Sequence, residues 1–141
     1  MRFIKENGIS FTNYQVRSNS TDEVARVLKD VVRTKAYVSP SKNGWITVYD
    51  EMSDEEMDYY ELHHISQKLS SSLSTVVFVF FVYRSSYLIY FLYDLGELVD
   101  EYHSEPEGFR FGFELVNDSI LDRFRGNPQI VWKYCIIGTK L

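Results

Sequence analysis

The longest apolar stretch of the chain runs from Thr75 to Tyr93, and the tripeptide at 84–86, Arg-Ser-Ser, interrupts it near its middle. A transmembrane helix needs roughly 17–25 consecutive apolar residues, whereas the two pieces left here have the length of β-strands. Both are rich in Val, Phe and Tyr, which favour strands. The pattern predicts no membrane span. It predicts a three-stranded antiparallel meander, over about Thr75–Tyr83, Tyr87–Tyr93 and Glu97–Tyr102, with the first strand buried on both faces and the third half exposed.

A first helix is predicted near the N-terminus. Apolar residues between 24 and 32 recur at i, i+3, i+4, i+7 and i+8, which is the period of a helix with one buried face. Ser20 and Glu23 form a capping box in front of it. We therefore predict a helix from about Thr21 to Arg33, preceded by two extended segments that meet at the turn-forming dipeptide Asn7-Gly8.

A strand pair and a second helix are predicted next. In "GWITVYDE" (44–51) successive residues alternate between two faces, with Trp45 on one and Ile46 on the other. The segment 36–39 supplies the partner strand of a hairpin. A second capping box, Ser53 and Glu56, then opens an apolar helical period that continues to Leu73.

The C-terminal part predicts two short helices, one between Asn117 and Gly126 and one that begins at Pro128. No linker or repeat divides the chain, so we predict a single domain that spans residues 1–141. The order of elements predicts the α+β class: a mostly antiparallel sheet of about five to seven strands, two main helices on one face and short C-terminal helices, as in a ferredoxin-like fold with added strands.

Composition adds two points. Aromatic residues make up 16% of the chain, with 11 Tyr and 10 Phe, which favours either an aromatic core or a flat aromatic binding surface. Cys135 is the one cysteine, so no intramolecular disulfide can form, and the N-terminus lacks the apolar core of a signal peptide. We expect a cytoplasmic protein in which Cys135 packs as a small hydrophobic residue.

The net charge of −5 comes from one acidic run. In "DEMSDEEMDYYE" (50–61) seven of twelve residues are acidic, and the rest of the chain has 13 acids and 15 bases. Acids in the first turn of the predicted helix are stabilised by the helix dipole, but Asp58 and Glu61 lie beyond that turn. The run is therefore a candidate surface for a protein partner, and it disfavours nucleic acid. Its candidate residues are Asp50, Glu51, Asp54, Glu55, Asp58 and Glu61.

Catalytic and cofactor motifs are absent from the sequence. There is no G-x-S-x-G elbow, no P-loop and no G-x-G-x-x-G. His63 and His64 are adjacent on the predicted helix and cannot share a metal ion, so we expect solvated histidines, no metal and no cofactor. The acids follow exposed patterns. A buried cluster of carboxylate and histidine would favour an enzyme.

The segments "GWITVYDE" and "YLIYFLYDLGELVDEYHSEPEGF" resemble a family of small bacterial proteins that has no assigned activity. The likeness covers about residues 44–109 and implies no site. The matched residues are Trp45, Tyr49, Glu51, Gly96, Glu97, Asp100, Tyr102, Ser104 and Pro106.

Three functional hypotheses remain. The first is a non-catalytic cytoplasmic protein that engages a protein partner through the acidic run, as immunity proteins and inhibitors do, with an edge-paired homodimer compatible with the long apolar strands. The second is a small-molecule or nucleotide-binding protein, and the third is a small hydrolase. The aromatic pocket of the second hypothesis consists of Trp45, Tyr49, Tyr83, Tyr87 and Tyr90, with Arg84 as the contact for an anion.

Overall fold

The computed structural model describes residues 2–5, 8–51, 53, 58–106 and 118–135. Within these residues, seven strands form one antiparallel sheet. The strands are β1 (Arg2–Lys5), β2 (Gly8–Arg17), β3 (Ala36–Val38), β4 (Trp45–Asp50), β5 (Val76–Tyr83), β6 (Tyr87–Asp94) and β7 (Glu97–His103). The helices are α1 (Thr21–Val31), α2 (Tyr59–Leu73), α3 (Asp118–Arg123) and α4 (Pro128–Cys135).

The strand order is β3-β4-β2-β5-β6-β7, and β1 pairs with the first part of β2. The segment β2-α1-β3-β4-α2-β5 is a β-α-β-β-α-β unit, and its strands lie in the order β3-β4-β2-β5, with β2 between β4 and β5. This is the ferredoxin-like arrangement, to which β6 and β7 add a hairpin at one edge. The predicted α+β class and its ferredoxin-like variant are confirmed.

The main core lies between the sheet and the helices α1 and α2, on the side that we call the helix face. Alternate residues of neighbouring strands point there: Tyr14 of β2 pairs with Val79 of β5, which pairs with Phe91 of β6. All three are fully buried. Leu28 of α1 and Ile65 of α2 complete this layer.

The other side of the sheet, which we call the second face, is covered differently. Helix α4 packs there with Ile130, Val131 and Tyr134 against a smaller cluster around Phe78 and Leu92. Most residues of this cluster lie on β5, β6 and β7, and Gln15 of β2 and Trp45 of β4 border a groove beside α4.

The predicted meander is confirmed to within one residue at each strand end, and β5 has buried residues on both faces. The stretch 75–93 is thus a hairpin, and no helix of the described residues is long and apolar enough to cross a membrane. Helix α1 begins as predicted, with the Ser20 hydroxyl accepting a hydrogen bond from the Glu23 amide at 3.2 Å, and ends two residues earlier than predicted.

The predicted start of the second helix is wrong for α2. This helix begins at Tyr59, because Asp58 is its N-cap: Oδ1 of Asp58 accepts hydrogen bonds from the amides of Tyr60 (2.9 Å) and Glu61 (3.3 Å). Ser53 instead shares a 2.7 Å hydrogen bond with the hydroxyl of Tyr14. Glu56, the other half of the predicted capping box, lies outside the described residues, and so does Asn117, at which the first predicted C-terminal helix begins.

Candidate functional site

A carboxylate is buried on the helix face where α2 lies over β6 and β7. Glu101 is only 4% exposed. Its Oε2 accepts hydrogen bonds from Nε2 of His63 at 2.8 Å and from the hydroxyl of Tyr59, and its Oε1 accepts one from Nε of Arg123 at 3.1 Å. Nδ1 of His63 lies 2.6 Å from the hydroxyl of Tyr93. We call these five residues the Glu101 cluster.

The cluster keeps Glu101 ionised. Burial raises the pKa of its carboxyl, but the hydrogen bonds from His63 and Tyr59 and the charge of Arg123 outweigh burial, so the pKa lies below its ordinary value. Burial and the nearby Glu101 charge raise the pKa of Tyr59 and bring the pKa of Tyr93 to about 12. Both tyrosines are therefore protonated at neutral pH and can donate hydrogen bonds.

The sequence predicted solvated histidines and exposed acids. His64 is exposed as predicted, but the prediction is wrong for His63 and Glu101. The His63 ring stacks on Phe91 at a centroid distance of 3.9 Å, and its side chain is 15% exposed. The alternation of faces in "ELVDEYH" (97–103) is the signal that indicates this burial. Glu101 and His103 share one face of β7 and lie opposite Phe91 and Ile89 of β6.

His103 is a second buried histidine, 3% exposed, beside the cluster. Its Nδ1 accepts a 2.9 Å hydrogen bond from the Glu105 amide. Burial lowers its pKa to about 4, with the charge of Glu101 acting in the opposite direction. His103 is therefore neutral at physiological pH.

The Glu101 cluster contains the residue types that acid–base chemistry uses. The carboxylate of Glu101 joins β7 to α2 and α3, and the hydrogen bond between His63 and Tyr93 links β6 to the same cluster. None of its five residues lines either of the two cavities described next. The arrangement fits a buried polar network that fixes the packing of these elements.

An aromatic cavity of about 280 Å³ lies on the second face. Phe78 and Phe80 follow each other on one face of β5, with their rings stacked at 4.5 Å and an angle of 8°. Trp45 of β4 and Gln15 of β2 form further walls, and Cys135 at the end of α4 lines it as well. Cys135 is exposed, so the prediction that it packs as a small hydrophobic residue is wrong.

A larger, more polar cavity of about 630 Å³ adjoins the first, since Gln15 and Trp45 line both. The amide of Gln15 is held in place: its Oε1 accepts a hydrogen bond from the Thr47 hydroxyl at 3.1 Å, and its Nε2 donates one to Asn13 at 3.2 Å. We call the larger one the loop cavity. Its other walls are Ser39, Pro40, Ser41, Lys42, Asn43 and Thr47.

The structure does not bring the predicted pocket residues together. Trp45 lines both cavities, and Tyr49 lies on the same second face of β4. Tyr90 also faces that side, where its hydroxyl donates a 2.7 Å hydrogen bond to Asp100. Tyr83 and Tyr87 pair with each other on the helix-face side of the sheet, next to the β5–β6 turn. Arg84 lies in that turn, over the Tyr83 ring at 4.9 Å.

The acidic run is also dispersed. Asp50 is 1% exposed, its Oδ2 accepts the Ser53 amide at 2.9 Å, and burial raises its pKa. Asp58 is exposed but caps α2, while Glu51 and Glu61 are half-buried. Asp54 and Glu55 lie outside the described residues.

No protein-family model matches the chain, and no curated protein and no solved structure matches it either. The resemblance to a bacterial family stays a prediction.

Proposed function

We propose that the protein binds a small molecule with a flat aromatic ring in the aromatic cavity of the second face. The observation that carries this proposal is the lining of the cavity, in which Trp45, Phe78 and Phe80 supply three aromatic walls and Gln15 a polar group. Small-molecule sites are concave, mostly apolar and carry a few fixed polar groups. A planar ring fits such walls because aromatic rings attract each other in stacked and edge-to-face geometries.

The other two hypotheses from the sequence have less support. The protein-partner hypothesis is weakened at two of its acidic residues, since Asp50 is buried and the carboxylate of Asp58 caps α2. For a hydrolase, the buried Glu101 and its partner His63 are the kind of cluster that favours an enzyme, but the cluster lines neither of the two cavities described above. A cytoplasmic location is supported by the single cysteine, and the edge-paired homodimer stays a prediction.

Tryptophan fluorescence gives a direct test. The chain has two tryptophans, and Trp132 is 66% exposed on α4. In a Trp132→Phe background, Trp45 is the one remaining tryptophan and reports on the cavity. We expect planar aromatic compounds to change Trp45 emission saturably and to raise the melting temperature with concentration. If a panel of such compounds changes neither quantity up to the solubility limit, the proposed function is wrong.

Matched variants locate the binding site. Phe80→Ala removes one aromatic wall and should weaken binding by about tenfold, as expected for a lost stacking contact. Tyr37→Ala is the control, because Tyr37 is a 59% exposed aromatic residue of the same sheet that lines neither cavity. Bound ligand should also slow alkylation of Cys135. Equal affinity in both variants would place the ligand elsewhere.

A further inference from the structure

We propose that the ligand is a planar aromatic anion whose ring occupies the aromatic cavity and whose acidic group enters the loop cavity, where Lys42 attracts it. This inference rests on the proposed function and adds the charge of the ligand. The acidic group is a carboxylate or a phosphate, since both offer oxygen acceptors to cationic side chains. The two cavities meet at Gln15 and Trp45, so one molecule can span them.

The charge around the loop cavity supports an anion. Lys42 is a wall of this cavity, and no Asp or Glu is among the described residues that line it. In a chain with a net charge of −5, a cavity with a lysine wall and no acidic residue among its described walls favours negatively charged ligands.

Gln15 supplies a neutral donor at the junction. Its Nε2 has two hydrogens, and within the described residues only one hydrogen bond uses them, the bond to Asn13. Because the Thr47 hydroxyl fixes the other end of the amide, the second N–H stays available at the point where the ring and the acidic group of the ligand would join. A fixed polar group of this kind orients a ligand in an otherwise apolar site.

The test compares two probes of nearly equal shape, 2-naphthoate and its neutral counterpart 2-naphthamide, by calorimetry at low salt. We expect the acid to bind about tenfold more tightly and to lose that advantage as salt rises. 2-Naphthyl phosphate distinguishes the two kinds of acidic group. Lys42→Met should reduce the preference to about twofold, and Lys29→Met is the matched control, since Lys29 is an exposed lysine of α1, which packs on the helix face.

Failure of this inference is distinguishable from failure of the proposed function. If acid and amide bind equally and Phe80→Ala weakens both, the protein binds aromatic ligands without selecting an anion, and only the inference is overturned. If Lys42→Met and Lys29→Met reduce the preference equally, the loop cavity is not the anion site, and the inference is again overturned. If neither probe binds, the result counts against the proposed function and the inference together.

Discussion

At the scale of single residues, the Glu101 cluster shows how a charge is kept inside the fold. Burying a carboxylate is costly unless hydrogen bonds and an opposite charge compensate. Glu101 has both, through His63, Tyr59 and Arg123. Removing the carboxylate would leave the buried donors of Tyr59 and His63 without their acceptor, which costs free energy.

We predict that Glu101→Gln lowers the free energy of unfolding by about 2 kcal/mol, the cost of leaving buried donors unsatisfied. The glutamine keeps the shape of the side chain but loses the charge that His63 and Arg123 face. Urea denaturation measures the effect. Glu97→Gln is the control: Glu97 is an exposed residue of the same strand, so its change should stay within about 0.5 kcal/mol. Similar losses in the two variants would contradict a special role for Glu101.

His103 should make stability depend on pH. Its folded pKa of about 4 lies below the ordinary value of 6.5, so the unfolded chain binds the proton more readily. The stabilising contribution of neutral His103 is fully present above pH 6.5 and is lost as pH falls towards 4. Between pH 7.5 and pH 5 we expect a loss of about 2 kcal/mol from this residue.

The variant His103→Asn isolates this contribution. Oδ1 of asparagine can accept the Glu105 amide in place of Nδ1, while the titrating ring is removed. Its unfolding free energy should therefore fall less than that of the wild type between pH 7.5 and pH 5, whatever its absolute stability. An identical decrease in the two proteins would show that other groups cause the acid sensitivity.

At the scale of secondary-structure elements, the start of α2 gives Asp58 a structural role. The sequence placed Asp58 beyond the first turn of a helix that starts earlier, which left its charge free for a partner. In the structure its carboxylate accepts the amides of Tyr60 and Glu61. Such a cap satisfies donors that have no partner within the helix.

We predict that Asp58→Ala lowers the free energy of unfolding by about 1 kcal/mol, the usual contribution of an N-cap. Asp58→Asn should have a much smaller effect, because asparagine caps helices nearly as well. Thermal or urea denaturation of both variants measures the difference. If Asn and Ala are equally destabilising, the charge of Asp58, rather than its hydrogen bonds, stabilises α2.

At the scale of the whole molecule, one sheet separates two apolar layers of different size. The layer on the helix face contains most of the fully buried side chains, and the layer under α4 is smaller and partly open. The open part is where the aromatic cavity lies. The fold thus leaves room for a ligand on the side where fewer contacts hold the sheet.

Substitution of one isoleucine in each layer compares how much the two layers stabilise the fold. Ile65 of α2 is fully buried, whereas Ile130 of α4 is half-buried. We predict that Ile65→Ala lowers the free energy of unfolding by about 2–5 kcal/mol and Ile130→Ala by about 1 kcal/mol, since less apolar area is lost from burial. Urea denaturation measures both decreases, and equal m-values in the two variants would show that both layers unfold together. A larger decrease in Ile130→Ala than in Ile65→Ala would contradict the predicted order.

The sequence by itself determined the elements and the fold class. Hydrophobic period, strand-forming residues and the capping box at Ser20 are local features, so the meander, α1 and the α+β class follow from neighbours along the chain. The start of α2 was missed because Ser53 and Asp58, both residue types that cap helices, lie five residues apart. The hydrogen bond of Ser53 with Tyr14 gives that serine another role.

The tertiary structure alone decided the sites. Glu101 and His63 are 38 residues apart in sequence, and Gln15, Trp45 and Phe78 come from three separate strands, so no local pattern relates them. Strand order placed β2 between β4 and β5 and thereby brought the walls of the aromatic cavity together. Because successive residues of a strand point to opposite faces of the sheet, Tyr83 and its pairing partner Tyr87 lie on the helix face and not beside this cavity. Pairing between distant strands, which sequence period does not specify, is the physical reason for this division.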